Sequence, residues 1–443
     1  MVRLTRVDSV VLSGRCLSFM LLFAWVTLPA TAHVTDAEQR MIEYIDAHDA
    51  EARALLERAV NINSGTMNVA GVREVGRLFR SAFDNLGFET RWVDGEAWGR
   101  AGHLIAEHRG SGPRMVLIGH LDTVFEPDSP FQKYELLDDS TGHGPGAADM
   151  KGGIVVMLQA MKALRHAGVL DEVDATVVLI GDEEKSGRPL SLARRDLIDA
   201  ARQSAVALGF ENGDNDPGTA VVSRRGWTGW VLRSTGRPAH SSQIFQEDVG
   251  AGAVFEAARV LSAFYDRLSD QEYLSFNPAI TLGGTHVEFI PEADRGTASS
   301  KINIVAERAV VPGDLRTLSI EQRERVKETM RDIVSQSLPH TWSEISFDDS
   351  YPPMAPTDGN RNLLSRYDGV SRDLGLGPVE AVNPRNAGAA DISFAAQHVE
   401  MAIDGLGLLG AGGHTIDETA DLRLLPTQTK RAALLIHRLS TTP

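Results

Sequence analysis

Between residues 70 and 86, apolar side chains return every third or fourth position, at Val72, Val75, Phe79, Ala82 and Leu86. This spacing predicts an amphipathic helix that stops at Gly87. Ahead of it, Thr35-Asp36-Ala37-Glu38 fits a capping box, so a helix is expected from there to about Val60. The pattern then changes. Short, continuously apolar, β-rich runs at 103–107, 115–119, 176–181 and 206–210 read as buried strands, and 152–166 between them reads as a helix. Buried strands alternating with helices predict an α/β fold with a mostly parallel sheet flanked by helices.

After Arg224-Arg225-Gly226 the character shifts again. Residues 227–234 read as a half-exposed strand, 249–268 as a helix, 279–290 and 301–315 as strands, 321–336 as a helix and 342–347 as a strand. Two helices among about four strands predict a compact α+β insert. Beyond Pro352-Pro353, a helix near 361–374 marks the resumption of the first unit. The expected organisation is a leader at 1–32, the first part of a catalytic domain at 33–223, the insert at 224–349 and the second catalytic part at 350–443.

The leader carries Arg3, Arg6 and Arg15, then an apolar run over 17–28, then Ala30-Thr31-Ala32. That order predicts a secretory signal peptide cleaved before His33, and a periplasmic or secreted protein. The run is about 12 residues, short of the roughly 20 that a membrane-spanning helix needs. No membrane association is therefore expected after cleavage. The only cysteine, Cys16, lies inside this leader. The remaining chain thus has no disulfide framework, no cysteine nucleophile and no cysteine-bound zinc. A formal net charge of −16 argues against nucleic acid or anionic membrane as a partner.

Chemistry concentrates where strands end. His120-Leu121-Asp122 follows the 115–119 run, Asp182-Glu183-Glu184 follows 176–181, and Glu211 follows 206–210. In an open parallel sheet, ligand sites lie just beyond the carboxyl ends of the strands. Three strands therefore deliver histidine or carboxylate to one edge, which scattered solvated acids would not do. Gly144-Pro145-Gly146-Ala147-Ala148-Asp149 adds an acid in a loop before a helix, and Gly412-Gly413-His414 adds a histidine in a glycine-rich turn. Histidine and carboxylate without thiolate suit Zn²⁺, Co²⁺ or Mn²⁺ in a hydrolytic role. Two such ions need a carboxylate between them, and one glutamate must stay off the metals to take the proton of water. Adjacent Glu183 and Glu184 allow that division. By contrast, Gly405-Leu406-Gly407-Leu408-Leu409-Gly410 matches a dinucleotide signature only in letters, because no βαβ unit surrounds it.

Taken in order, these stretches resemble a family of zinc peptidases. They are Ile118-Gly119-His120-Leu121-Asp122-Thr123-Val124, Gly146-Ala147-Ala148-Asp149-Met150-Lys151-Gly152-Gly153, Asp182-Glu183-Glu184-Lys185-Ser186-Gly187, Gly209-Phe210-Glu211, Gly236-Arg237-Pro238-Ala239-His240-Ser241, Asp314-Leu315-Arg316, Gly388-Ala389-Ala390-Asp391 and Gly412-Gly413-His414-Thr415. The family includes bacterial glutamate carboxypeptidase, aminoacylase, acetylornithine deacetylase and succinyl-diaminopimelate desuccinylase. The resemblance implies two Zn²⁺ per chain, bridged by Asp149, with His120 and Glu211 on one ion and Glu184 and His414 on the other. It implies Glu183 as general base, Asp122 as the group that orients the His120 ring, and a non-proline cis peptide after Asp149. The insert then resembles a ferredoxin-like lid or dimerisation domain of a homodimer, from which His240 reaches the active site. Asn303 matches a substrate-binding asparagine.

Two departures bear on substrate. Ala306 stands where the family has proline after the Asn303-Ile304-Val305 motif. Glutamate carboxypeptidase-like members also carry an arginine for the substrate carboxylate near the return from the insert, where this chain has Tyr351-Pro352-Pro353-Met354-Ala355-Pro356. Arg316 or Arg385 could take that role, although Arg316 could equally pair with Asp314. The expected activity is cleavage of a peptide or N-acyl amino acid amide bond, as a glutamate carboxypeptidase-like exopeptidase. The alternatives are an N-deacylase or amidohydrolase for a non-peptide amide and, from another class, a binding protein of the same fold without catalysis.

Overall fold

The computed structural model describes residues 34–441; the leader lies outside this range. A six-stranded sheet runs in the order Glu89–Asp94, Gly102–His108, Ala175–Ile180, Met115–His120, Val206–Gly209, Met401–Ile403. The last four strands are mutually parallel. Gly102–His108 pairs antiparallel with both its neighbours, so the sheet is mixed. Apolar continuity reports burial on both faces but not strand direction, and the run at 103–107 gave no sign of its reversal. Alternation along each strand splits the core in two. Leu104, Leu117, Val177 and Leu208 face one layer of helices, while Ile105, Val116, Ile118 and Val178 face the other.

The helix Lys151–Ala167 is buried on nearly every side and packs against Asp36–Ala47, Asp49–Val60 and Leu424–Thr441. Each fully buried Val, Leu, Ile or Met contributes about 1.5–3 kcal/mol, so this helix fixes the loop that precedes it, which carries Asp149. The helix expected from Thr35 to Val60 is two helices, Asp36–Ala47 and Asp49–Val60. His48 breaks it: the ring stacks on Tyr44 at 3.9 Å and its Nδ1 meets the Tyr44 carbonyl at 2.7 Å. The Thr35–Glu38 capping box forms as expected.

Between Val206–Gly209 and Met401–Ile403 the chain builds a second, antiparallel sheet in the order Ser275–Pro278, Arg308–Arg316, Trp227–Gly236, Thr341–Tyr351. Ala253–Leu268 and Ile320–Ser335 cover one face, around Trp230, Leu232, Val260, Phe264, Val311 and Met330. The strand expected over 279–290 is broken: Leu282–Gly284 joins the sheet edge, and His286–Ile290 pairs instead with Arg295–Ser299 as a hairpin. Among the described residues, no helix is long and apolar enough to cross a membrane.

Candidate active site

His120 is the last residue of its strand, and its ring is buried. Its Nδ1 lies 3.0 Å from the main-chain carbonyl of Asp122, so that nitrogen carries the proton and donates. Nε2 is thereby aimed at Asp149 Oδ1 at 3.1 Å and Glu211 Oε1 at 3.5 Å. The second oxygen of Asp149 lies 3.2 Å from His414 Nε2, which in turn is 3.1 Å from Glu184 Oε2. Asp149 thus stands between two histidines, one carboxylate oxygen to each, with Glu211 on one side and Glu184 on the other. Ligand atoms of His120, Asp149 and Glu184 all fall within 4.8 Å of one another, a grouping able to hold a metal ion. The peptide between Asp149 and Met150 is cis, as expected. His414 has φ +62°, a left-handed conformation uncommon outside glycine.

Three buried acids hold the loops that carry these ligands. Asp122 accepts the main-chain N–H of Glu183 at 3.0 Å and of Glu184 at 3.1 Å, and the Thr66 hydroxyl at 2.6 Å. Glu418 accepts N–H groups from Gly146, Ala148 and Asp149, at 3.1, 3.0 and 3.1 Å. Asp404 accepts the N–H of Glu211 at 3.2 Å and a 2.8 Å hydrogen bond from Arg224 Nε. A Cβ at Gly209 would lie 2.2 Å from Asp404 Oδ1, so the glycine of Gly209-Phe210-Glu211 is what lets that carboxylate approach. Asp122 serves the His120 ring mainly through its carbonyl; its carboxylate, 3.5 Å from Nδ1, chiefly braces the Glu183–Glu184 turn. Glu418, Asp404 and Arg224 carried no sequence signal for this role. Glu418 lies in an acid-containing turn after His414, and Asp404 directly precedes the glycine run 405–410.

The electrostatics point to a cation. Burial, aided by Asp149 and Asp404 and opposed by His120, pushes Glu211 up to about 8. Burial followed by Asp391 raises Glu183 well above the carboxylate range, with Glu211 and Glu184 adding to it. Burial also raises Glu184, against the hydrogen bond from His414. Hydrogen bonds to Asp149 and Glu184 push His414 up to about 11. His120 is raised against burial by Glu211, Asp122 and Asp149. Buried carboxylates that hold protons this firmly also accept divalent cations in their place. The donor set, two imidazoles and three carboxylates with Asp149 central, therefore fits a pair of divalent ions. Glu183 faces the same cluster, yet it is Glu184 that touches His414 and Asp149's partners.

The remaining candidates lie elsewhere. His240 is exposed, with Nδ1 2.8 Å from Ser242 Oγ. Asn303 sits beside it, its carbonyl accepting the N–H of Ser241 at 2.8 Å. Among the described residues, neither makes a hydrogen bond or ion pair to His120, Asp149, Glu184, Glu211 or His414. Arg316 pairs with Asp314 at 2.9 Å, the simpler of the two roles open to it. Arg385 is exposed, its guanidinium 5.9 Å from the Tyr273 ring centroid.

Residues 116–438 match the profile of peptidase family M20/M25/M40. Carboxypeptidase G2 of Pseudomonas sp. strain RS-16 is 26% identical over 391 residues, covering 86% of this chain and 87% of that one. A succinyl-diaminopimelate desuccinylase of Rhodospirillum centenum is 25% identical over 365 residues, covering 78% and 87%. In fold, the chain is similar to an aminopeptidase PepT from Bacillus cereus (TM-score 0.70, 16% identity, 89% of this chain and 99% of that one). It is also similar to a Bacillus subtilis protein described as a dinuclear metal binding peptidase of family M20 (TM-score 0.63, 15% identity, 90% and 100%). The strand-end histidine and acids, the place of Asp149 between His120 and His414, and the family match agree: the chain belongs to peptidase family M20/M25/M40 and is a hydrolase of the metallopeptidase or amidohydrolase type.

Proposed function

We propose that the protein is a di-zinc exopeptidase, glutamate carboxypeptidase-like, that cleaves the amide bond of a peptide or N-acyl amino acid; cobalt or manganese could replace zinc. The observation that carries this reading is Asp149 with one oxygen on each histidine, Glu211 and Glu184 flanking it, and Glu183 left free. His120, Asp149 and Glu211 would hold one ion, and His414, Asp149 and Glu184 the other. Bound there, the pair would polarise the scissile carbonyl and lower the pKa of the attacking water. Glu183, whose surroundings already favour its protonated form, takes the proton of that water and returns it to the leaving amine. His240 supplies a hydrogen bond to the carbonyl oxygen as it gains charge, from the insert of the same chain on closure or from the partner in a homodimer.

Recognition of a substrate carboxylate is left to Arg385, beside Arg225, since Arg316 is engaged by Asp314. Burial lowers Arg225, and the charges of Arg316 and Arg385 lower it further, so three guanidinium groups share one neighbourhood with Asp314 opposing them. An anion relieves that repulsion. The run Tyr351–Pro356 without an arginine favours a second reading, an N-deacylase acting on a non-peptide amide. Rates of the zinc-loaded protein on Xaa-Glu dipeptides and on N-acetyl amino acids separate the two. Faster dipeptide cleavage supports the carboxypeptidase, faster deacetylation the deacylase, and no turnover on either contradicts both. A periplasmic or secreted location remains part of the proposal, resting on the leader at 1–32.

A further inference from the structure

Behind Glu183 lies a closed hydrogen-bonded group that the reaction as described does not use. Tyr351 ends the strand Thr341–Tyr351, the last of the smaller sheet, and its hydroxyl is 3.0 Å from the main-chain carbonyl of Glu183. The same hydroxyl is 3.1 Å from Arg194 Nη2 and 2.9 Å from Ser186 Oγ. Arg194 is fully buried and also donates to Asp182 Oδ1 at 2.7 Å, to the Asp182 carbonyl at 3.1 Å, to Ser186 Oγ at 3.0 Å and to Asp391 Oδ1 at 2.6 Å.

Guanidinium only donates and a carbonyl only accepts, so the single phenol proton goes to Glu183 O and Ser186 donates to the phenol oxygen; the two protons of Arg194 Nη2 are shared among Tyr351 Oη, Ser186 Oγ and the Asp182 carbonyl. Glu183 is thereby held on both sides of its Cα. Its N–H is bound to Asp122 Oδ1 at 3.0 Å, and its carbonyl is bound by Tyr351. Main-chain movement of this residue is suppressed, and its carboxylate is left to turn about its side-chain bonds alone.

We propose that Tyr351 is a positioning residue: its hydroxyl fixes the peptide that carries the general base, and Arg194 with Asp182 and Asp391 fixes the hydroxyl. The inference rests on the reading of Glu183 as base. It gives Tyr351-Pro352-Pro353, the stretch that lacks an arginine, a task toward the base rather than toward the substrate. It also ties the end of the smaller sheet to the reacting edge of the larger one.

Tyr351→Phe removes the hydroxyl and keeps the ring, which packs against Phe394 with centroids 5.1 Å apart. In the zinc-loaded enzyme, kcat should fall about tenfold with KM within about twofold, because a misplaced base costs the transition state and not binding. Metal content should be unchanged. Amide hydrogen exchange over 182–187 should quicken while that over 146–149 does not. Ser186→Ala, on a half-exposed loop where folding is less at stake, removes one anchor of the hydroxyl and should lower kcat about threefold at constant KM. Unchanged kcat in whichever of these variants folds overturns the proposal, as does a rise in KM that accounts for the whole loss. Glu183→Gln run in parallel separates the two levels. If it keeps turnover, the base reading fails and the positioning role falls with it. If it is inactive while Tyr351→Phe is fully active, only the positioning role fails.

Discussion

Glu183 and Glu184 differ by one position and by everything around them. Glu184 is hydrogen-bonded by His414, whereas Glu183 has no such partner among the described residues and is raised by burial and then by Asp391, which supports the proposal that one holds an ion and the other a proton. Glu183→Ala should lower kcat by about 10²–10⁴-fold while metal analysis still finds two ions per chain; retained turnover, or loss of metal, contradicts the division. Glu418 is a different kind of residue, touching no ligand side chain but three main-chain N–H groups of the Asp149 loop. Glu418→Ala leaves those buried donors unpaired at about 1–3 kcal/mol each and should weaken metal binding about 10–100-fold. Calorimetric metal titration and thermal unfolding of the variant measure the two effects separately.

At the scale of elements, strand ends and loops were the legible part. A buried strand declares itself by continuous apolar residues, and the acid or histidine that follows is adjacent in sequence, so His120, Glu184 and Glu211 could be read together. The acceptors that brace these loops could not, because a main-chain N–H takes its partner from anywhere in the chain, and Glu418 lies 269 positions from Asp149. Strand direction and the break at His48 were invisible for a similar reason: one depends on which edges pair, the other on a ring finding a carbonyl. The loops' electrostatics give a pH prediction for the metal-free protein. Glu418, pushed up to about 7 by burial, and Glu211, at about 8, bind protons in the folded state that the unfolded chain has released above pH about 4.5. His414, at about 11, does the same above 6.5. The folded state therefore binds more protons, and stability falls as pH rises through this window. The Tm of metal-free protein should be lower at pH 8 than at pH 5.5, and the rise in Tm on adding Zn²⁺ larger at pH 8, since the ions displace those protons. A Tm rise on metal addition that does not grow with pH contradicts the cluster's protonation as described.

For the molecule as a whole, the two largest sheets, each packed on its own core, share the work unequally. The larger sheet carries His120, Glu184 and Glu211 at its strand ends, while Asp149 comes from the loop before the helix Lys151–Ala167 and His414 from the turn between Gly410–Ala411 and Thr419–Asp421. The unit built on the smaller one carries His240 and Asn303 side by side, with no hydrogen bond or ion pair to the ligand cluster among the described residues. The resemblance had already implied that His240 acts from the insert, but no local pattern reports the distance between two separately packed cores. His240→Ala should lower kcat by about 10²-fold with both ions retained, the cost of losing one donor to the developing oxyanion. Arg385→Ala should instead raise KM for substrates with a free carboxylate and leave kcat nearly unchanged. A dinuclear hydrolytic centre bridged by Asp149, as proposed, sets both metal stoichiometry and rate, and stepwise addition of Zn²⁺ to metal-free protein, followed by amide hydrolysis, reads both. Two equivalents should bind, with full turnover reached only as the second site fills; binding of one ion or none, or turnover before any metal is added, contradicts it.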